Sequence, residues 1–508
     1  MDDFDKRFKA AVSHRKATLD LDGREVYKFC FNGREVEWDG YGYQRGKATE
    51  PEEIFSEFPA TVAEDFAGEL FSTMTPENTP WVEFETADGF EDKAAEDEFK
   101  AYLEQVEGVL AKSIRASNYY DEGYTAFQEA IVGNVNMWVD RPTLSGPIIC
   151  EAIPCSELYL RAGPMGIDDR FRQQWYDYRD LPALFPDADF SREMKRKIEK
   201  GGRAKVIRGF WRDYADPSNP LWVQRVRVDG KPIGLDDTLG EEGSCPIVTG
   251  RFNAMPGSAW GRGPGRRMLP AMRLLDELVR MNIEGMDRNL DPAYTYANDG
   301  MLDLSDGIES GMGYPSMPGT ENSVRAIGVV ENLDYGFFEE DRLQEAIRDG
   351  FYREMIQRGK TPPSASQYMG QEQKQLRRVA RPGAKTWREF GVGLLKRFEF
   401  IERQDGGALQ AIEAPVLESG AVVIRPISPL ERSQAREDVL VAQSIMAMTK
   451  EALGEQGAAL QIDGATTMGN VKEKLKDKIV AFRTEDQMMK VMQAMQPPQP
   501  QGAPGEQA

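Results

Sequence analysis

Two short stretches of the sequence carry residues that could bind a phosphate group. Residues 261–265 (GRGPG) are rich in glycine like a dinucleotide-binding loop, but the third glycine is misplaced and Pro264 lacks the amide that a phosphate needs. Residues 359–361 (GKT) resemble the end of a phosphate-binding loop, but Glu354 stands where its first glycine belongs and two prolines follow where a helix should begin. Neither stretch predicts a nucleotide or other cofactor site.

Residues able to hold a metal ion or to carry catalysis are equally sparse. The cysteines contain no CxxC pair, and His14 is the only histidine, so zinc binding is not expected. Three aspartates, Asp299, Asp303 and Asp306, lie in a glycine-rich stretch, but their spacing differs from that of a calcium-binding loop. With no nucleophile elbow and no paired base, the sequence predicts a protein that is not an enzyme.

One stretch, residues 374–403, is markedly basic in an otherwise acidic chain. Its basic residues are Lys374, Arg377, Arg378, Arg381, Lys385, Arg388, Lys396, Arg397 and Arg403, and its acidic residues are Glu389, Glu399 and Glu402. Two interpretations stay open at this point. The basic residues either form a solvated helix face or point towards a polyanion.

Composition bounds the possibilities further. At 508 residues the chain exceeds a single core, and 40% hydrophobic with 29% charged residues is typical of a folded protein. A net charge of −21 opposes tight nucleic-acid binding by the whole surface, since such binding requires Lys and Arg to neutralise phosphates. We expect no signal peptide, no membrane span, and synthesis in a cytoplasm, where the four cysteines stay reduced and mostly buried.

The apolar periodicity predicts helices first and strands afterwards. Residues 4–135 are mostly helical in pattern, whereas residues 137–251 contain short β runs between Gly, Pro and Asp turns. The expected fold class is α+β, mainly helical.

A long amphipathic helix is predicted from Arg266 to about Leu290, entered through a flexible glycine-rich segment, residues 260–265 (WGRGPG). Its apolar positions recur every 3.5 residues, which requires a neighbouring helix along the whole stripe. These positions are Met268, Met272, Leu275, Val279, Ile283, Met286 and Leu290. Charged residues occupy the opposite face.

A second amphipathic helix is predicted over residues 338–357, with Leu343, Ile347, Phe351 and Met355 on its apolar side. The two helices bracket residues 291–334, which contain one β run at 323–330. Helical pattern resumes over residues 364–403, with an interruption at Pro382-Gly383, and again over 430–453 and 466–496. The Pro- and Gln-rich residues 496–508 are expected to be disordered.

Several segments, taken in order, resemble the portal, or head-to-tail connector, family of short-tailed bacteriophages (podoviruses). They are residues 73–81 (TMTPENTPW), 117–120 (SNYY), 131–138 (IVGNVNMW), 260–265 (WGRGPG) with the helix that follows, and 427–434 (ISPLERSQ). The likeness extends from about residue 55 to about residue 434. One departure is the pair of prolines in residues 361–366 (TPPSAS), where the family begins a helix with Thr-Ala.

The resemblance implies a portal fold assembled as a dodecameric ring around a central channel. The implied regions are wing (1–260 and, with a tunnel loop, 359–428), stem (261–290 and 338–358), clip (291–337), crown (429–495) and a disordered tail (496–508). The implied stem-packing residues are Met268, Met272, Leu275, Val279, Ile283, Met286, Leu343, Ile347 and Phe351. The implied candidates for contact with DNA are Lys374, Arg377, Arg378, Arg381 and Lys385. The implied clip docking residues are Asp299, Asp303, Asp306, Tyr314, Met317 and Arg325.

The function implied by the resemblance is that of a passive conduit at one capsid vertex of the virion, used for DNA packaging and ejection. The implied partners are further copies of the chain, the major capsid protein and scaffold, the terminase large subunit, a tail adaptor protein and double-stranded DNA without sequence specificity. Two alternatives stay open: another ring-forming neck or tail protein, and a nucleotide-driven packaging enzyme.

Overall fold

The structure, a computed structural model, describes residues 2–32, 34, 38, 53–77, 81–86, 93–143, 146–290, 293–295, 325–327, 334–353, 378, 381–413, 424–426, 439, 441–452, 454 and 463–475. The chain divides into two units, Met1–Ser428 and Pro429–Ala508. Within these described ranges, no helix has the length and apolar character needed to cross a membrane.

Helices dominate the first part of the larger unit, as the periodicity predicts. They are α1 (Asp3–Thr18), α2 (Asp20–Cys30), α3 (Phe58–Met74), α4 (Lys93–Ala116) and α5 (Tyr119–Gln128). The Asp2 carboxylate caps α1 by accepting the Asp3 N–H at 2.7 Å, and Pro59 occupies the first turn of α3, where its missing N–H costs nothing.

Strands follow, and the predicted α+β class is confirmed. They are β1 (Phe84–Thr86), β2 (Asn134–Asp140), β3 (Ile149–Ala152), β4 (Leu158–Gly163), β5 (Gly166–Asp177), β6 (Arg203–Asp213), β7 (Leu221–Val228), β8 (Lys231–Gly240), β9 (Ile247–Arg251), β10 (Ala293–Thr295), β11 (Arg325–Ile327) and β12 (Ile424–Pro426). The larger sheets are antiparallel, in the orders β4-β5-β6-β7-β8 and β3-β2-β9. Strand β1 pairs with β12, and β10 pairs with β11.

Both faces of the five-stranded sheet are buried near β6, because alternate side chains of a strand point to opposite faces. Val206 packs in one cluster with Phe185 and with Met194 of helix α7 (Arg192–Lys200), which follows the short helix α6 (Leu181–Leu184). Ile207 packs on the other face, in a cluster with Phe4 of α1. The sheet therefore separates two apolar clusters.

Two long helices of the larger unit pack as a pair. Helix α8 spans Pro264–Leu290, so it begins two residues before the predicted start and ends where predicted. Helix α9 spans Asp334–Gly350, which corrects the prediction of residues 338–357. It ends early because Phe351 and Tyr352 form a turn, with Tyr352 in the left-handed region at φ 64°.

The predicted interruption at Pro382 is also corrected. Residues 381–386, which include Pro382 and Gly383, are helical without a break. This helix continues through a π-helical turn, Trp387–Gly391, into α10 (Val392–Arg403).

In the smaller unit, residues 441–452 are helical, within the predicted helix over 430–453. Helix α11 (Gly464–Leu475) begins two residues before the predicted start, and the Asp463 carboxylate accepts the Thr466 N–H at 3.2 Å. Residues 476–508, including the tail predicted to be disordered, lie outside the described residues.

Candidate functional site

Residues 260–266 connect the preceding part of the larger unit, here called the body, to α8. This segment, here called the joint, is closely packed. A Cβ atom added at Gly261 would lie 2.2 Å from the Gly133 carbonyl oxygen, and one added at Gly263 would lie 2.1 Å from the Ile131 carbonyl oxygen. Only glycine allows backbones to approach so closely. The prediction that this segment is flexible is therefore wrong, because its glycines serve close approach.

Hydrogen bonds hold the joint in one direction. The Gly261 N–H donates to the Asn134 Oδ1 atom at 2.9 Å, and the Gly263 N–H donates to the Val132 carbonyl at 3.1 Å. The Arg266 guanidinium, nearly buried, donates to the Gly261 carbonyl at 2.8 Å. The body of the protein thus fixes the direction in which α8 projects.

Helices α8 and α9 form an antiparallel hairpin. A Cβ added at Gly336 would meet the Asn282 side chain, and one added at Gly350 would meet the Met268 side chain. The start of α9 therefore lies beside the end of α8, so the two helices run in opposite directions. Small residues of α9 lie at both contacts. The Asn282 amide also donates to the Glu340 carboxylate at 3.3 Å. A buried polar residue at such a seam favours one register of pairing.

The half of the hairpin nearest the joint is well covered by the chain itself. Met272, Leu275, Ile347 and Phe351 are fully buried in the main core. Met268, Val279 and Leu343 are partly buried and pack against the same core. These seven of the predicted stem-packing residues have apolar contacts within one subunit.

The far half of α8 has a different surface. Ile283, Met286 and Leu290 are exposed by 46%, 38% and 85%, and the buried positions at this level are Asn282 and Gly285. Helix α9 therefore does not cover the apolar stripe along its whole length within one subunit. Packing by Ile283 and Met286 stays a prediction about the assembled protein.

Further apolar side chains are exposed on the hairpin that the sequence interpretation did not single out. They are Leu274 and Met281 on α8, and Phe337 and Phe338 on α9. The sequence did contain a signal for this wider apolar surface, because α8 carries more apolar residues than a single stripe at 3.5-residue spacing accounts for. What the sequence could not show is which of them the body covers.

The charged face of α8 is largely neutralised by its own ion pairs. Arg280 lies between Glu277 and Glu284, and the hydrogen bonds that it donates to Glu277 raise the pKa of its guanidinium. The Asp276 carboxylate accepts the backbone N–H groups of Phe55 and Ser56 at 2.7 and 3.1 Å. This face therefore anchors a neighbouring segment and keeps little free charge.

Three of the residues predicted to contact DNA fall within the described residues. Arg378 pairs with the Asp349 carboxylate at 2.7 Å, Lys385 lies 3.8 Å from Glu389, and Arg381 is exposed. Lys374 and Arg377 lie outside the described residues.

The basic stretch also contains one arginine with a structural role. Arg397 is buried and donates to the carbonyl oxygens of Val139, at 2.9 Å, and Ser244, at 2.7 Å. The sequence of residues 374–403 therefore overstates the number of basic side chains that can contact a polyanion.

Of the six predicted clip docking residues, the structure describes Arg325. Asp299, Asp303, Asp306, Tyr314 and Met317 lie outside the described residues. Arg325 belongs to β11, opposite Thr295 of β10. In the part of the chain that the structure describes, no group of three or more His, Cys, Asp or Glu side chains could hold a metal ion, and all four cysteines are buried and unpaired.

Comparison with known proteins gives a match to a described family and a match to a solved structure. A family model described as "Bacteriophage head to tail connecting protein" matches residues 2–380. A solved structure titled "Virion of native gene transfer agent (GTA) particle" contains a chain that aligns with a TM-score of 0.39 at 10% sequence identity. The alignment covers 88% of this chain and 92% of that chain. This likeness is too distant to carry an argument. No curated protein sequence matches.

Proposed function

Because the chain belongs to the bacteriophage head-to-tail connecting protein family, we propose that it is the portal subunit of a phage particle. Twelve copies form a ring at one capsid vertex, and the genome passes through the central channel during packaging and ejection. The family match supports the connector role, and the surface of the α8–α9 hairpin supports the ring.

The observation that carries the ring is that α8 exposes apolar side chains on both sides of its buried line. Leu274 precedes the buried Leu275 by one position, and Met281 precedes the buried Asn282 by one position. Ile283 follows Asn282 by one position. One position turns an α-helix by about 100°, so these exposed side chains lie on opposite flanks. A closed ring requires two different contact faces on each subunit, and the flanks supply them.

The assignment of regions follows the family resemblance. Wing, stem, clip and crown correspond to residues 1–260 with 359–428, 261–290 with 338–358, 291–337, and 429–495. The rigid joint at residues 260–266 fits this layout, because a stem must hold one angle to the wing if identical subunits are to close a ring. Helix α9 begins at Asp334, so the second stem helix would start inside the stretch assigned to the clip.

We propose that the channel lets DNA slide because its wall is mostly acidic. A chain with a net charge of −21 repels phosphates, and the few basic contacts are weakened by salt through counterion release. Arg381 is the DNA-contact candidate among the described residues that is exposed without a carboxylate partner there. Lys374, Arg377, Arg378 and Lys385 stay candidates for the same role.

The clip would dock the terminase during packaging and the tail adaptor afterwards, and the outer wing would contact capsid protein and scaffold. These partners follow from the proposed role and not from a described surface. The clip candidates Asp299, Asp303, Asp306, Tyr314, Met317 and Arg325 are the residues to substitute first.

Electron microscopy of the purified full-length chain tests the ring directly. We expect tapered rings with a central hole and a narrow stem, and a matching large species in sedimentation velocity. Ile283→Asp should abolish the ring, because it places a charge on an apolar contact face. Arg288→Gln, an exposed position one to two turns further along α8 with the same change in charge, should leave it intact.

Particles without a hole, or rings unaffected by Ile283→Asp, would contradict the proposal. A phosphate-release assay separates the packaging-enzyme alternative, since robust ATP hydrolysis by the purified chain is not expected of a passive conduit.

A further inference from the structure

A cavity of about 410 Å³ lies in the larger unit, away from the hairpin. It is lined by residues of β2, of the five-stranded sheet, of the segment after α6 and of α10, including Trp138, Phe185, Arg208, Gln224 and Ser244. Its volume falls within the range of small-ligand sites, about 300–1,000 Å³.

Arg208 occupies an unusual position on β6. Its neighbours on the same sheet face, Val206 and Phe210, are buried apolar residues, and its guanidinium carbon lies 4.9 Å from the ring centres of both Trp138 and Phe185. The side chain makes no hydrogen bond or ion pair with any residue in the described ranges, and its Nε atom is enclosed.

The fully buried arginines of this unit, by contrast, have polar partners. Arg172 pairs with Glu151 and Glu157, Arg251 pairs with Glu389, and Arg397 donates to backbone carbonyls. Burial lowers the pKa of the Arg208 guanidinium, which expresses the cost of holding this charge away from water. An anion in the cavity would offset that cost.

A second polar group in the cavity wall lacks a partner. The hydroxyl of Ser244, a residue only 2% exposed, makes no hydrogen bond in the described part of the chain. Gln224 of β7 adds an amide to the same wall. Polar groups from separate elements thus converge on one cavity, which is typical of a binding site.

The charges around the cavity limit the kind of anion. Asp140, Asp187 and Asp237 also line it, and Asp140 is already paired with Arg397 at 3.1 Å. These carboxylates would repel a doubly charged phosphate, whereas a single carboxylate matches the fork of one guanidinium. The carboxylates of Asp187 and Asp237 can accept the N–H groups of a peptide backbone.

We propose that this cavity binds the carboxylate side chain of a short acidic peptide segment, with Arg208 as the recognising cation. The site is independent of the ring, so its failure would leave the connector role untouched.

Titration of full-length protein with acetyl-Gly-Glu-Gly-amide, followed by calorimetry and by tryptophan fluorescence, tests the proposal. We expect saturable binding, at least tenfold weaker binding of the Gln peptide, and weaker binding still of inorganic phosphate. Arg208→Met should lose binding at least tenfold without a lower melting temperature, because it removes an unpaired, partly buried charge. Arg196→Met, at an exposed position of α7, should bind as the unsubstituted protein does.

The proposal fails if neither peptide binds, if the Gln peptide binds as well as the Glu peptide, or if Arg208→Met keeps its affinity. Tighter binding of phosphate would replace it with a phosphate site. A sharp fall in the melting temperature of Arg208→Met would show that the arginine is a structural group between two rings, and this too would overturn the proposal.

Discussion

The two halves of α8 have the same spacing of apolar residues, but those residues are buried in one half and exposed in the other. Near the joint, Met272 and Leu275 are fully buried, whereas Ile283, Met286 and Leu290 further along are exposed. An apolar stripe indicates that a helix packs against a neighbour. It does not indicate whether that neighbour belongs to the same chain or to another subunit. In this hairpin the near half is covered by its own chain, and in our proposal the far half is covered by the next subunit.

The difference follows from what lies beside each half. The near half packs against α2 as well as α9, with the Cys30 Sγ atom 3.7 Å from the Met272 Sδ atom. Beside the far half the described chain supplies α9, which pairs through Asn282 and Gly336 and leaves both flanks of α8 open. The near half therefore stabilises the fold, and the far half is available for assembly.

The largest effect on the stability of the single chain is expected from Leu275→Asp. This change places a charge in the core and should lower the free energy of unfolding by at least about 3 kcal/mol. Denaturant unfolding monitored by circular dichroism measures the loss. Leu290→Asp, on the same helix at an exposed position, should leave the unfolding free energy unchanged, and similar losses in both variants would erase the proposed difference between the halves.

The joint should be the next most sensitive region. Gly263→Ala forces a methyl group against the Ile131 carbonyl and is expected to cost about 1–3 kcal/mol of unfolding free energy, the usual cost of overpacking. Gly108→Ala in α4, where an added Cβ meets nothing within 4 Å, should instead raise stability by about 0.5–1 kcal/mol. Equal changes in unfolding free energy for Gly263→Ala and Gly108→Ala would support the interpretation of the joint as a flexible segment.

A smaller effect is expected at the contact between the far half of α8 and α9. Asn282→Ala removes the partly buried hydrogen bond to Glu340 and should lower the unfolding free energy by about 1 kcal/mol. The thermal melting curve of this variant, compared with that of Asp287→Ala at an exposed position of the same helix, measures the difference. A variant as stable as the unsubstituted chain would mean that the seam holds its register without this amide.

The smallest effect is expected on the charged face. Arg280→Ala removes ion pairs with Glu277 and Glu284 that are open to solvent, and such pairs contribute little. The melting temperature should therefore stay unchanged at high and low salt. A clear salt-dependent fall would show that the charged face, and not the apolar seam, stabilises this part of the hairpin.

The sequence alone predicted the elements whose causes are local. The end of α8 before Asp291-Pro292 follows from the restriction that proline places on the preceding residue, and the β run predicted over residues 206–214 lies mostly in β6. The order of short segments also indicated the connector family, which the match over residues 2–380 confirms.

Only the tertiary structure decided the roles of several residues. Gly261 and Gly263 are needed because the backbone at residues 131–133 passes close to them, and Arg397 is buried because β2 and the turn before β9 offer it carbonyl oxygens. Helix formation depends on hydrogen bonds between residues four apart, so periodicity reveals it. Burial depends on surfaces brought together from more than a hundred residues away, and no local pattern records which of them will meet.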